Sequence, residues 1–203
     1  FKPEVIVLDD AFQHRRIKRD LDIVLINSKD KRKDHKLLPF GLLREPLSSL
    51  KRADILIFTK TNLMQSNDYL NKTIKSVGKP YFSSTLEAQS PISLNGEPII
   101  IEKGTRVLAL SAIADTNGFI TTLKQLGVEI VDHFDFVDHY SYRQSDLQKL
   151  ASRVKALNVN HVITTEKDMI KLAPLDFLGI KIYSVEVSFC MGKKDVKNFL
   201  ELI

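Results

Sequence analysis

The chain has 203 residues, of which 43% are apolar and 27% charged, and its formal net charge is +5 at pH 7. This composition is typical of a globular protein with a buried core, and the apolar runs are too short to predict a transmembrane helix or a signal peptide. A single cysteine, Cys190, excludes an intramolecular disulfide, so a reducing compartment is the default expectation.

Short runs rich in Val and Ile alternate with amphipathic stretches, which is typical of an α/β protein with a mostly parallel sheet. In the first half this pattern predicts strands at 5–10, 21–26, 54–60 and 80–85, and helices at 44–53 and from about Ser66 to Val77. We expect Gly78 to end the second of these helices.

A hairpin is predicted next, because Asn95-Gly96 lies between two strand-like runs. Beyond it the pattern predicts strands at 106–112, 129–136, 161–165 and 181–187, helices at 116–126, 145–157 and 166–172, and a closing amphipathic helix. In the helix at 145–157, Ser145 is the expected N-cap and the apolar stripe consists of Leu147, Leu150, Val154 and Leu157.

The alternation of strand and helix patterns is interrupted around the hairpin, and this interruption predicts that the chain has three parts. Residues 1–88 are expected to form the first lobe, residues 89–104 a β-ribbon linker, and residues 105–203 a smaller C-terminal α/β lobe.

Two adjacent carboxylates, Asp9 and Asp10, follow the first predicted strand. Open α/β sheets bind ligands at the carboxyl ends of their strands, and in P-loop phosphotransferases an Asp at this position serves Mg²⁺. Gln13 and His14 come directly afterwards, and both can donate hydrogen bonds to phosphate. The alternative is an ordinary turn at the end of a strand.

Positive charge is concentrated directly after these carboxylates. Residues 15–52 contain twelve Lys or Arg and five Asp or Glu, so this segment carries +7. Such a segment suits an anionic partner such as a phosphate, a membrane surface or a nucleic acid, or is simply a solvated basic surface.

Two further motifs follow strands in the second half. The sequence FVDHYSY at 136–142 contains Asp138 and His139, and a carboxylate next to a histidine can orient it for general-base work. His133, within the preceding strand, is expected to be structural. The sequence TTEKDMIKL at 164–172 predicts a short helix capped by Thr164 or Thr165, in whose first turn Lys167 is a candidate phosphate ligand.

Several signatures are absent from the sequence. There is no G-x-x-x-x-G-K-[ST] phosphate loop. After the strand at 54–60, Thr59 and Asn62 replace the Asn and Asp of the guanine-reading N-K-x-D motif, so adenine is the better expectation for a nucleotide. The histidines and Cys190 lack the spacing of a zinc site.

Taken together, these motifs resemble the tetraacyldisaccharide 4'-kinases, the lipid A 4'-kinases of Gram-negative bacteria. The resemblance rests on five segments in the family's order, at 8–15, 19–27, 37–54, 136–142 and 164–172. There are two departures from the family pattern. Ala11 stands where the family often has Gly, and residues 111–119 match the family's usual G-I-A-N-P segment less closely than the other segments match theirs.

This resemblance implies a P-loop NTPase-like fold, here without its first strand and P-loop, joined by a β-ribbon to the smaller lobe. It implies ATP-dependent phosphorylation of the 4'-hydroxyl of a tetraacyldisaccharide 1-phosphate, with ATP and Mg²⁺ as cofactors. The expected location is the cytoplasmic face of the bacterial inner membrane, with peripheral contact to anionic lipid and no nucleic acid partner.

For individual residues, the resemblance implies that Asp9 and Asp10 are the Walker B acids that serve Mg²⁺, with Asp10 also catalytic, and that Gln13 and His14 lie near the disaccharide. It also implies that His139 is catalytic, partnering an Asp outside these residues in activating the 4'-hydroxyl.

Arg44 is expected to bind a substrate phosphate, because a guanidinium can do so bidentately. Without a phosphate loop, the 203-residue chain alone is expected to be inactive. The alternatives are another P-loop NTPase, a non-catalytic module that binds anions or nucleic acid, and a homologue that kept the fold and lost the chemistry.

Overall fold

The computed structural model describes residues 2–63 and 68–203, and contacts divide the chain into two units. The first unit comprises Phe1–Thr85 together with Phe189–Ile203, and the second comprises Leu86–Ser188. The predicted α/β class with mostly parallel sheets is confirmed. The three-part organisation with residues 89–104 as a linker stays a prediction.

The strands and helices follow one another along the chain much as the apolar pattern predicts. The strands are β1 (Ile23–Asn27), β2 (Ile55–Thr59), β3 (Tyr81–Ala88), β4 (Ile92–Ser93), β5 (Arg106–Ser111), β6 (Glu129–Asp135), β7 (His161–Thr165), β8 (Ile182–Val185) and β9 (Val187–Met191). The α-helices are α1 (Asp68–Val77), α2 (Thr116–Gln125), α3 (Gln144–Leu157), α4 (Glu166–Leu172) and α5 (Lys193–Leu200), and 3₁₀ helices form at Leu47–Arg52 and Thr61–Leu63.

A four-stranded sheet in the order β1-β2-β3-β9 organises the first unit. The strands β1, β2 and β3 are parallel, with Ile23 opposite Ile55 and Ile57 opposite Phe82. The core beside this sheet combines strand residues with residues of the 3₁₀ helix and α1: Ile26, Leu50, Ala53, Leu56, Phe58, Leu70 and Ile74.

The predicted strand at 5–10 is wrong for the described residues. Val5, Ile6 and Val7 are 78%, 72% and 87% exposed, and Asp9 and Asp10 form a turn. An apolar run becomes a strand only if its N–H and C=O groups pair with a neighbouring strand. In the described part of the chain no strand lies beside residues 5–8.

Three local predictions also need correction or limitation. The segment 44–53 forms the short 3₁₀ helix after Pro46, in which Ser49 N–H donates to the Pro46 carbonyl (2.9 Å). Helix α3 begins at Gln144, so Ser145 lies inside it rather than at its cap. The expected start of α1 at Ser66 lies outside the described residues.

The predicted hairpin at Asn95-Gly96 is confirmed in a short form. Gly96 has a φ of +81°, which favours glycine, and its N–H donates to the Ser93 carbonyl (2.9 Å). Ile92 pairs antiparallel with Pro98 beyond the turn.

The second unit is a doubly wound sheet in the order β4-β8-β7-β5-β6, parallel except for β4 at its edge. Alternate residues of β5 point to opposite faces. Leu108 and Leu110 pack in one cluster with α3 and α4, whereas Val107 and Ala109 pack in another with α2. The sheet is therefore covered by helices on both faces.

The strand order of this unit determines where a ligand would be expected. The chain leaves β5 to form β6 on one side and then crosses to form β7 on the other side. Such a switch point opens a crevice at the carboxyl ends of the strands. His139, on the loop after β6, and Lys167, at the start of the helix after β7, both follow strands that end at that edge.

Candidate functional site

The carboxylate turn of the first unit is anchored by the phenyl ring of Phe12. This ring packs against the core of the unit, and the Arg52 guanidinium lies over it at 4.6 Å from the centroid. His14 N–H donates to the Ala11 carbonyl (2.9 Å), which closes the turn. Residues 9–14 are therefore held to the sheet although their backbone forms no strand.

A second anchor joins the turn to the start of β1. Arg19 Nη1 donates to the His14 carbonyl (2.6 Å), and its Nε donates to Asp22 Oδ1 (2.6 Å). Asp22 N–H in turn donates to Asp54 Oδ2 (2.8 Å), just before β2. Arg19 thus positions the backbone of the turn, a role that the residue pattern alone does not indicate.

Asp10 and Arg44 are brought together across 34 positions of sequence. Arg44 Nη1 donates to both carboxylate oxygens of Asp10, at 2.9 and 2.7 Å. Asp10 has a φ of +50°, which is uncommon for a non-glycine residue and occurs at functional turns. The predicted metal ligand and the predicted phosphate ligand are therefore direct partners in this structure.

Arg52 links the segments that carry these two residues. Its Nη2 donates to Glu45 Oε2 (2.6 Å), next to Arg44, while its guanidinium covers Phe12, near Asp10. The hydrogen bond from Arg52 lowers the pKa of Glu45. Sequence reasoning did not single out Arg52, because it reads as one cation among twelve in this segment.

The two predicted sugar-binding residues differ in their surroundings. The side-chain oxygen of Gln13 is buried and has no hydrogen-bond partner among the described residues, whereas His14 is exposed. A buried acceptor without a partner costs free energy. The oxygen of Gln13 is therefore suited to accept a hydrogen bond from a ligand hydroxyl.

In the second unit, Asp138 and His139 lie on the loop after β6. His139 N–H donates to Asp138 Oδ1 (3.0 Å), and the ring Nε2 lies 3.6 Å from Asp138 Oδ2. His139 has a φ of +62°, and its ring is exposed. The carboxylate thus lies beside the ring, where it can orient the imidazole.

Lys167 is exposed in the first turn of α4, whereas the residue after it, Asp168, is fully buried. Thr165 caps the helix by accepting a hydrogen bond from Asp168 N–H (3.2 Å), as predicted. The Asp168 carboxylate accepts hydrogen bonds from Ala112 N–H (3.0 Å), Thr165 Oγ1 (2.8 Å) and Lys171 Nζ (3.1 Å). Asp168, which sequence reasoning passed over, therefore ties the loop after β5 to α4.

The structural role expected for His133 stays a prediction, and its surroundings are compatible with it. It lies in β6, its Nε2 is 2.9 Å from Ser111 Oγ on the neighbouring β5, and burial lowers its pKa. Ser111 is fully buried, whereas His133 is only partly buried.

The turn of the first unit offers two adjacent carboxylates, Asp9 and Asp10, as ligands for a cation. Among the described residues there is no cluster of three or more His, Cys, Asp or Glu side chains that could hold a metal. Mg²⁺ commonly uses only one or two carboxylates and keeps waters and substrate phosphates as its other ligands. Asp9 and Asp10 fit that pattern.

Among the described helices, none combines the length and the apolar composition that crossing a membrane requires.

Comparison with known proteins gives one consistent result. The family described as Tetraacyldisaccharide-1-P 4'-kinase matches residues 1–203. Proteins named tetraacyldisaccharide 4'-kinase from Chlorobaculum tepidum and Chlorobium phaeobacteroides are 37% and 32% identical, over 98% and 99% of this chain. The chain spans 58% and 60% of the lengths of these two relatives.

A solved structure is similar as well. The crystal structure of LpxK from Aquifex aeolicus in complex with ATP superposes with a TM-score of 0.64 at 28% identity, covering 96% of this chain and 55% of that one.

Proposed function

The chain belongs to the tetraacyldisaccharide-1-P 4'-kinase family, and we propose that the protein transfers the γ-phosphoryl group of ATP to the 4'-hydroxyl of a tetraacyldisaccharide 1-phosphate. The observation that carries this proposal is the family match along the whole chain, which includes both candidate site regions. The ATP complex of the similar Aquifex aeolicus protein supports ATP as the donor.

In the reaction, the 4'-hydroxyl oxygen forms a bond to the γ-phosphorus, the bond from that phosphorus to the β-phosphate oxygen breaks, and ADP leaves. The hydroxyl proton passes to the imidazole of His139, and the adjacent Asp138 stabilises the resulting positive charge. General-base help of this kind is worth roughly 10²- to 10⁴-fold in rate.

Asp9 and Asp10 are proposed to hold Mg²⁺. When bound, this ion neutralises phosphate charge, which is a large part of catalysis in phosphoryl transfer. The pairing of Asp10 with Arg44 is exposed, and such pairs contribute only about 0–1 kcal/mol. Asp10 can therefore exchange its guanidinium partner for a cation at little cost.

Once released from Asp10, Arg44 is proposed to bind a phosphate of the substrate, since a guanidinium binds phosphate bidentately. The unpaired side-chain oxygen of Gln13 would accept a hydrogen bond from a sugar hydroxyl. The next residue, His14, would also contact the disaccharide. Lys167 is proposed to bind a nucleotide phosphate from the exposed first turn of α4.

Peripheral contact with the anionic cytoplasmic face of the inner membrane is also proposed. Its support is the segment Leu37–Leu43, in which Leu38, Phe40 and Leu42 are 61%, 83% and 68% exposed. The exposed cations Lys33 and Lys36 precede it. Apolar side chains next to cations suit the boundary between headgroups and acyl chains in an anionic lipid surface.

A binding module for nucleic acid is not favoured. No Phe or Tyr is interleaved with the cations between Arg15 and Lys36, so this segment lacks a stacking platform for bases.

The proposal is tested by following ADP release by the complete protein with tetraacyldisaccharide 1-phosphate as acceptor. We expect ADP release that requires the lipid, and a much lower rate when GTP replaces ATP, because Thr59 and Asn62 replace the guanine-reading residues. Nucleotide hydrolysis that is independent of the lipid, or a preference for GTP, would instead favour a different P-loop NTPase.

A further inference from the structure

The loop that carries His139 is held in an unusual conformation. Tyr140 N–H donates to the Val137 carbonyl (3.1 Å), and His139 within this turn has a φ of +62°. This conformation is unfavourable for a residue with a side chain. It persists only where surrounding contacts determine it, and so the contacts of the next residue, Tyr140, are informative.

Tyr140 is fixed by both its ring and its hydroxyl. The ring stacks on Phe136 with centroids 4.5 Å apart and planes 25° apart, and it meets the edge of Tyr142 at 5.6 Å. The hydroxyl donates to Asp146 Oδ2 (3.2 Å). Burial and the bond to Asp146 raise the pKa of Tyr140, so the phenol remains a neutral donor.

Asp146 is the third residue of α3 and is only 8% exposed. The oxygen that accepts from Tyr140 also accepts from Arg143 N–H (2.9 Å). The next residue, Leu147, is buried in the core together with Leu150, which anchors α3. One buried carboxylate oxygen thus holds Tyr140 and Arg143, at both ends of the segment between His139 and the helix.

We propose that Asp146 and Tyr140 are positioning residues, which hold the backbone at His139 so that its imidazole stands where the proton of the attacking hydroxyl is released. This inference rests on the proposed function, in which His139 is the proton acceptor. If Asp146 served only as a helix cap, its loss would affect stability and leave the rate of the chemical step unchanged.

The decisive variant is Tyr140→Phe, which removes the hydroxyl and keeps the ring that stacks on Phe136. In the complete protein we expect kcat to fall about 3- to 10-fold, since a hydrogen bond is worth about 0.5–1.5 kcal/mol, while KM for ATP stays unchanged. Tyr183→Phe, the same change in β8 of the same unit, is the control and should leave both constants unchanged.

A second pair of variants distinguishes positioning from packing. Asp146→Ala removes the acceptor of the Tyr140 hydroxyl and should lower kcat at least as much as Tyr140→Phe does. The double variant should have the same kcat as Asp146→Ala alone. Asp146→Asn retains a carbonyl oxygen for both donors and should keep kcat within about twofold of the wild-type value. Loss of kcat in Asp146→Asn equal to that in Asp146→Ala would contradict the proposal.

Hydrogen exchange gives a readout that does not depend on activity. The amide of residue 140 donates within the turn, so it should exchange faster in Tyr140→Phe than in the wild type; an unchanged rate would overturn the inference. Wild-type kcat for Tyr140→Phe in an active protein would overturn it as well. A wild-type protein that does not phosphorylate the lipid would instead refute the proposed function.

Discussion

His139 combines a left-handed backbone, an exposed ring and a carboxylate partner. If its imidazole accepts the hydroxyl proton, His139→Ala should lower kcat by roughly 10²- to 10⁴-fold, the usual worth of a positioned general base. The KM for ATP should change little, because this role is exerted in the transition state. Steady-state kinetics of the complete protein measure both constants.

The matched control for this variant is His161→Gln. His161 lies in β7, where its ring contacts Tyr183, and it has no proposed part in the reaction. Its replacement should leave kcat unchanged. An equal loss of kcat in both variants would show that the effect of His139→Ala is structural.

Asp168 belongs to a different class of residue, since it is fully buried. Asp168→Ala would leave the buried N–H of Ala112 without its acceptor and would remove the partner of Lys171. We expect a loss of about 2–4 kcal/mol in the free energy of unfolding, measured by urea denaturation.

Glu166→Gln is the control for that measurement, because Glu166 is an exposed acid in the same first turn of α4. Its effect should stay within about 0.5 kcal/mol, as for most surface changes. Equal losses of unfolding free energy in the two variants would mean that stability depends on negative charge near the helix N-terminus and not on the buried hydrogen bonds.

At the scale of elements, a side-chain contact between β5 and β6 involves His133, whose surroundings favour the neutral imidazole. Burial lowers the pKa of His133 in spite of the nearby Asp135 and Asp132, and burial also lowers the pKa of His161 in β7. The unfolded chain therefore binds more protons than the folded one below about pH 6.5. The stability contributed by these groups is complete above that pH and is lost as the pH falls through the folded pKa values.

We therefore expect the free energy of unfolding to decrease from pH 7.5 to 5.5. The decrease should be smaller in His133→Gln and smallest in the double variant with His161→Gln. Denaturant unfolding at several pH values measures this. If the variants lose as much stability as the wild type, the acid sensitivity must come from other groups.

Elements could be predicted from sequence wherever an apolar pattern coincides with pairing inside the chain. Strands β1, β2 and β5 to β8 follow their Val- and Ile-rich runs, and α3 follows its stripe. Residues 5–8 have the same composition but no neighbouring strand within the described residues. Composition reports a tendency to pair and does not identify the partner, so it could not distinguish this run from β1.

Sequence patterns could suggest candidate site residues that stand in short motifs, but not residues that act through distant contacts. Asp10, Gln13 and His139 stand in recognisable local patterns. The bonds of Arg52 to Glu45 and of Tyr140 to Asp146 become visible only in three dimensions. The cap of α3 was misplaced for the same reason, because the Asp146 carboxylate, not Ser145, accepts the hydrogen bond at this helix start.

At the scale of the whole molecule, positive charge and exposed apolar side chains coincide in one segment. In Leu37–Leu43 a Cβ at Gly41 would overlap the carbonyl oxygen of Lys36, so glycine is needed for the turn that displays Phe40. Phe40→Ser should weaken binding to vesicles that contain phosphatidylglycerol by about 10- to 100-fold, since burying a Phe side chain is worth about 1.5–3 kcal/mol. Vesicle co-sedimentation measures this affinity.

The control is Ile100→Ser, because Ile100 is 98% exposed but belongs to the second unit and not to the basic segment at 15–52. It should bind vesicles like the wild type, and raising the salt concentration should weaken the binding of both. If Phe40→Ser binds as tightly as Ile100→Ser, the segment does not contact lipid.

The central claim is that the protein phosphorylates the 4'-hydroxyl of a lipid disaccharide, and identification of the product tests it most directly. The complete protein would be incubated with ATP, Mg²⁺ and tetraacyldisaccharide 1-phosphate, and the recovered lipid analysed by ³¹P NMR and mass spectrometry. The account predicts a second phosphomonoester, at the 4' position, formed in equal amount to ADP. Recovery of the lipid with its 1-phosphate alone, with or without release of ADP, would contradict it.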